Sequence, residues 1–173
     1  MDAPQGVPAR LGSWAQWGVD RLAEREAFVD QIVHDLRAGG HRVTPQRVAI
    51  IREFVGRADH PSAEAIHQAV VAQFPMIAIS TVYSTIRLLV EMGAAAEVSP
   101  GLTGARFDPN TSNHCHVVCT RCGSIADVPA GPELPTPEAC AETLGPGFRV
   151  ERLTLDIHGV CARCAARGGD APA

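Results

Sequence analysis

From about residue 26 to residue 92 the apolar positions recur every three or four residues, the period of helices with one buried face. One helix is predicted over roughly Glu26–Ala38, with Phe28, Ile32, Val33 and Leu36 on a face and Gly39-Gly40 as its stop. Thr44-Pro45 opens the next, since threonine caps a helix start and proline suits its first turn. That helix runs through Val48, Ile51, Phe54 and Val55. A third starts near Ser62 and buries Ile66, Ala69, Val70 and Phe74. A fourth runs from about Ser80 to Met92, with Val82, Ile86, Leu89 and Val90 inward and Gly93 ending it.

After Gly93 the period shortens. Ala94–Val98 and Ala105–Phe107 read as two short strands, with Ser99-Pro100-Gly101 starting the turn between them. Packed helices followed by a hairpin outline a winged helix-turn-helix, with the fourth helix placed in the major groove of DNA. Its outward positions include Ser80, Thr81, Tyr83, Ser84 and Arg87, and Tyr83 and Arg87 are spaced to share one face. Arg87 can fork onto a guanine or a phosphate, and Tyr83 offers a hydroxyl or a thymine-methyl contact. The same residues are equally what a solvated helix face carries.

Residues 114–165 read as a small α+β unit with strands at His114–Val118, Ser124–Val128 and Arg149–His158 and a helix near Thr136–Leu144. The expected fold class is therefore α+β: a winged helix over 26–100, a hinge over 101–113, and a second domain over 114–165. Residues 1–25, with Pro4, Gly6, Pro8 and Gly12, read as a partly disordered extension that Trp14 and Trp17 would dock, and 166–173 form a tail.

Composition narrows the class without naming it. The 173 residues are enough to bury a core, no apolar run approaches a membrane span, and the start lacks a signal peptide's pattern. These features point to the cytoplasm. A net charge of -4 does not announce a nucleic-acid binder, so the DNA reading rests on the helix pattern. The basic residues are all arginine, the better fork for phosphate and guanine.

The chemistry is carried by cysteine, histidine and aspartate. Cys119-Thr-Arg-Cys122 and Cys161-Ala-Arg-Cys164 are two matched pairs that together supply a closed tetrahedral sulfur shell for zinc. A closed shell has no position for a substrate and reads as structural. Beside it runs His114-Cys115-His116, then Asp127, with Asp108 and His60 upstream. Strand alternation sends His114 and His116 to one face and Cys115 to the core. Nitrogen and oxygen donors suit a harder ion. Asp127 would join from the neighbouring strand, Asp108 from the connection and His60 from the helical part. An ion held by both domains would fix their angle. His34, His41 and His67 read as surface residues, and Cys140 as core.

The run His60-Pro61-Ser62-Ala63, Ser80-Thr81-Val82-Tyr83, Arg106-Phe107-Asp108, His114-x-His116-x-x-Cys119-x-x-Cys122-Gly123, Asp127 and Cys161-x-x-Cys164 resembles the ferric uptake regulator family over about residues 26–165. The resemblance implies a homodimeric, metal-dependent repressor that binds double-stranded DNA at an inverted-repeat operator. It implies zinc on Cys119, Cys122, Cys161 and Cys164, and a regulatory Fe(II) or Mn(II) on His60, Asp108, His114, His116 and Asp127. Asp at 108 and 127 is similar to the peroxide-responsive subgroup. There bound Fe(II) reacts with hydrogen peroxide and oxidises a ligand histidine, here His60 or His114, and the operator is released. An iron-, manganese- or zinc-uptake repressor is the alternative within the family.

Departures from the family pattern matter too. Asn113 and Cys115 flank His114 where many iron sensors carry further ligands, so that extra site is not expected. Ala78 stands where relatives often have serine, leaving Ser80 or Thr81 as the expected helix cap, and His158 replaces a common tyrosine. A metal-dependent hydrolase is the rival from another class, but the chain has no HExxH helix and no evident general base.

Overall fold

The computed structural model describes residues 22–98, 104–112, 114–129, 137–145, 147–148, 150, 153 and 155–167, which divide into two compact units meeting between Thr111 and Ser112. The expected extension before residue 22 and its Trp14 and Trp17, the Ser99-Pro100-Gly101 turn, and Asn113 lie outside the described residues.

The first unit holds α1 (Leu22–Ala38), α2 (Pro45–Val55), α3 (Ala63–Val71), α4 (Ile79–Glu91), β1 (Ala96–Val98) and β2 (Arg106–Asp108). Helix α1 begins four residues before its predicted start, because Leu22–Arg25 continue the turn without a breaker. Thr44 caps α2 by accepting from Arg47 N at 3.2 Å, and Ser62 caps α3 by accepting from Ala65 N at 3.2 Å. Helix α4 starts without a side-chain cap: Ala78 holds the cap position, so neither Ser80 nor Thr81 serves. Leu36, Ile50, Ile51, Phe54, Ile66, Val82, Ile86 and Leu89 close the core among the four helices. Ala69 departs from expectation and is exposed, as α3 ends at Val71 before Phe74. The wing is a two-stranded antiparallel pair with Ala96 opposite Asp108 and Val98 opposite Arg106. Its β2 also packs back on the helices, Phe107 N donating to Pro61 O at 3.1 Å.

The second unit holds β3 (His114–Cys119), β4 (Ile125–Pro129), α5 (Pro137–Leu144), β5 (Leu155–Gly159) and α6 (Ala162–Ala166). The sheet order is β4-β3-β5, with β4 antiparallel and β5 parallel to the central β3. Gly123, at φ 66, takes the left-handed turn that folds the chain back from β3, and its N–H donates to Cys119 O at 2.8 Å. Strand β5 is described over Leu155–Gly159, and residues 149, 151, 152 and 154 of the predicted strand lie outside the described residues. Helix α6 has no counterpart in the apolar pattern, being one short turn of small residues after Cys161. Cys140 is half-buried on α5 rather than core.

Truncating Phe54, fully buried, to alanine should cost about 3–5 kcal/mol. Urea denaturation should show this as a lower midpoint, while Met76→Ala, at a side chain 93% exposed, should shift stability by less than about 0.5 kcal/mol.

Candidate metal centres and nucleic-acid interface

In the first unit, His60 sits in the turn before α3 with φ 50, the one left-handed non-glycine among the described residues. Such backbone strain persists where surrounding contacts hold it. Arg106 Nη1 donates to His60 O at 3.3 Å, and the Phe107–Pro61 bond pins the next residue. The imidazole is thereby fixed in a buried position facing Asp108 on β2, with Nε2 3.7 Å from Oδ2. That gap exceeds a hydrogen bond. An ion about 2 Å from each atom would span it. The other carboxylate oxygen, Oδ1, accepts from Asn110 N at 2.8 Å, which orients the group.

In the second unit, β3 presents His114 and His116 on one face, rings edge to face with centroids 4.5 Å apart, while Cys115 is buried on the other. His114 Nδ1 lies 2.8 Å from Ser112 O, and His116 Nδ1 lies 3.3 Å from Asp156 Oδ1. Both Nδ1 atoms thus lie beside acceptors, and a proton held on each would turn both Nε2 lone pairs inward. The two Nε2 atoms are 3.0 Å apart, and Asp127 Oδ1 lies 3.6 Å from one and 3.9 Å from the other. Two lone pairs and a carboxylate converge on one point, an arrangement that calls for a cation. Register explains the meeting: His116 stands directly opposite Asp127 on β4 and Asp156 on β5.

The four sulfurs of Cys119, Cys122, Cys161 and Cys164 lie within 4.8 Å of one another. Cys122 Sγ and Cys161 Sγ are 3.8 Å apart, which matches about 3.8 Å for the edge of a tetrahedron with sulfur about 2.3 Å from its centre. Cys119 is paired to Gly159 in the β3–β5 register, so the turn after β5 delivers Cys161 beside it; Cys161 N donates to Cys119 Sγ at 3.3 Å. Short α6 then carries Cys164 into the group. Hydrogen bonding to Ser124, 3.2 Å away, leads the influences that lower the Cys122 thiol to about 5, and Arg163 adds to it. Cys164 goes the other way, to about 12, chiefly because it shares its proton with Cys122. One sulfur is anionic and another holds its proton, the pattern of a cluster that a divalent ion would neutralise. Sulfur donors alone in tetrahedral disposition suit zinc.

On α4, Ser80, Tyr83, Ser84 and Arg87 are exposed and Thr81 is half-buried. Tyr83 donates to Glu64 on α3, which lowers the Glu64 carboxyl and raises the Tyr83 phenol. Arg87 Nε donates to Glu91 Oε1 at 3.0 Å. Ser84 Oγ and Thr85 Oγ1 are turned back onto Thr81 O. The tip of the turn before α4 is fastened by His67, whose Nε2 lies 2.9 Å from Ile77 O. His67 is thus half-buried and structural rather than a surface residue, unlike exposed His34 and His41.

Spacing singled out every cysteine that the structure groups, and alternation singled out the His114–His116 face. Sequence reasoning passed over Asp156 and the Ser112 and Asn110 backbone groups, and it named Arg106 only within a motif, without its bond to His60. Only strand register could have flagged Asp156, and the predicted strand limits were too loose to set it.

The ferric uptake regulator family model matches residues 38–164. The peroxide-responsive repressor PerR of Staphylococcus epidermidis is 36% identical over 140 residues, covering 81% of this chain and 92% of that protein. The Campylobacter jejuni peroxide stress regulator is similar in structure at TM-score 0.57 and 27% identity, covering 78% of this chain and 96% of its own. The Helicobacter pylori ferric uptake regulator aligns at TM-score 0.68 over 82% of this chain and 93% of its own; at 19% identity this likeness speaks for the fold. The family match over residues 38–164 and the identity to the staphylococcal repressor show that the chain belongs to the ferric uptake regulator family.

Proposed function

We propose that this chain is a metal-dependent, homodimeric, DNA-binding repressor of the peroxide-responsive kind. The observation that carries the reading is the convergence of the His114 and His116 Nε2 atoms, 3.0 Å apart, on the Asp127 carboxylate. His60 and Asp108, themselves set across an ion-sized gap, would complete one five-donor site for Fe(II) or Mn(II). Three imidazoles and two carboxylates leave an open coordination position. Fe(II), when bound, supplies the reduction of hydrogen peroxide. The residues do the rest: Asp108 and Asp127 hold the charge, and His60 or His114 takes up an oxygen atom. An oxidised ring is a poorer donor, so the ion would leave and the operator be released. The staphylococcal relative's description as a peroxide-responsive repressor favours this over simple metal uptake control.

The sulfur cluster is the structural zinc site in this reading. Zinc in such a cluster is worth on the order of 10 kcal/mol of folding free energy. The regulatory ion has only to bias a conformational equilibrium, a coupling of about 1–3 kcal/mol. DNA would be met by α4, with Arg87 and Tyr83 leaving Glu91 and Glu64 for bases and phosphates. Its uncapped first turn, at Ala78, leaves backbone N–H groups for a phosphate.

Gel shifts with Mn(II) should separate the two metal roles. Asp108→Ala should stay folded and dimeric but lose about 5–150-fold in operator affinity. Cys119→Ser should lose the folded second unit, and a folded, zinc-free dimer of that variant would refute the division of roles.

Dilute peroxide added to the Fe(II)-loaded protein should add the mass of one oxygen to a peptide containing His60 or His114, with loss of DNA binding. Unmodified peptides and retained binding would leave metal-uptake control as the function.

Zinc uptake by the ion-free protein at neutral pH should release fewer than four protons from the four thiols. Cys122, at about 5, is already a thiolate, whereas Cys164, at about 12, gives up a proton. Protons compete with zinc for the sulfurs, so affinity should fall as the solution is acidified through the Cys122 value. Calorimetry in buffers of different ionisation enthalpy counts the release, and a count of none or of all four would contradict this charge pattern.

A further inference from the structure

Asp156 lies outside the five donors, yet it stands in the same row of the sheet as two of them. Asp127, His116 and Asp156 are directly opposite one another across β4, β3 and β5. The His116 ring is therefore set between two carboxylates. Its Nε2 points to Asp127 and His114, and its Nδ1 lies 3.3 Å from Asp156 Oδ1.

A neutral imidazole has a single N–H, and the two sides of His116 compete for it. Were the proton on Nε2, it could be donated to His114 Nε2 at 3.0 Å or aimed at the Asp127 carboxylate. The donors would then satisfy one another without an ion, and an incoming ion would first have to displace that proton. A carboxylate against Nδ1 favours the opposite tautomer and makes Nε2 the stronger electron donor. His114 has its own Nδ1 acceptor, the Ser112 carbonyl at 2.8 Å, but that group is neutral and belongs to the backbone. The neighbour of His116 Nδ1 is a charged side chain, which substitution can remove without touching the chain path of β3.

We propose that Asp156 is a positioning residue for the ion bound at His114, His116 and Asp127: it holds the His116 proton on Nδ1 and keeps Nε2 open to the metal. This rests on the metal-site reading given above. Asp156 itself touches no ion. Its carboxylate is about one-third exposed and reaches His116 from the outer strand β5.

The test uses the full-length, zinc-loaded protein without a regulatory ion. Long-range ¹H–¹⁵N NMR, at a pH well above the imidazole range, reports the His116 tautomer directly. The wild type should show the proton on Nδ1. Asp156→Ala, and the nearly isosteric Asp156→Asn, should shift it toward Nε2. Mn(II) affinity, from the EPR signal of the free ion, should fall about 10–100-fold in both variants and recover toward wild type in Asp156→Glu. Unchanged far-UV circular dichroism in Asp156→Asn excludes unfolding as the cause. An unmoved tautomer with Mn(II) affinity within about threefold of wild type would overturn the proposal. If the wild type bound Mn(II) no better than His116→Ala, the metal reading itself would fall, whatever the tautomer.

Discussion

The pairing of β3 with its two neighbours is the constraint on which the second unit's chemistry rests. One strand of six residues carries His114, His116 and Cys119. Its partner β4 brings Asp127 opposite His116, and β5 brings Asp156 to the other side of the same residue. At the strand's end, the match of Cys119 with Gly159 sets where the second cysteine pair arrives. A slip of one residue in either pairing would send the facing side chains to the opposite surface of the sheet. A slip of β4 would take Asp127 from the imidazole pair, and a slip of β5 would displace the second cysteine pair. Buried Cys115 anchors the register from the other side of β3, and buried Val118 from the same side as the histidines.

The two donor sets show how composition decides what an ion can do. Four cysteine sulfurs in tetrahedral disposition would enclose an ion and leave it no open position. Imidazole and carboxylate donors make a harder, more exchangeable site, suited to an ion that comes and goes. The first unit sets a histidine against a carboxylate by another device. His60 is buried in a strained conformation, tied by Arg106 and backed by the Phe107–Pro61 bond, so that its ring faces Asp108. The wing strand β2 therefore supplies Asp108 and also the residues that hold His60 in place.

Much of this was legible in the sequence, for reasons that differ by element. Thr44-Pro45 and Ser62 marked helix starts because capping is local chemistry, visible in three or four residues. The cysteine pairs were legible because spacing alone fixes what one ion can reach. Alternation put His114 and His116 on one face. What could not be seen depended on pairing between distant segments. Asp156 gains its meaning from a parallel partner some forty positions earlier in the chain. Helix α6 is too short to carry a period, and His67 is tied to a carbonyl ten residues away by a turn whose shape no pattern specifies. The absent cap on α4 was misjudged because Ser80 and Thr81 fall inside the helix, which begins one residue earlier than its apolar pattern suggests.

The parallel strand β5 has a consequence for assembly. Cys122 and Cys161 are 39 positions apart, with α5 between them, so the first thiol pair is synthesised well before its mates. Cys119 and Cys122 alone supply only half of the tetrahedral set. Closing that span carries the entropy of a long loop, met by the strand pairing that comes with it. The four sulfurs thus come together only where β3 and β5 are paired, so the cage reports on the central sheet.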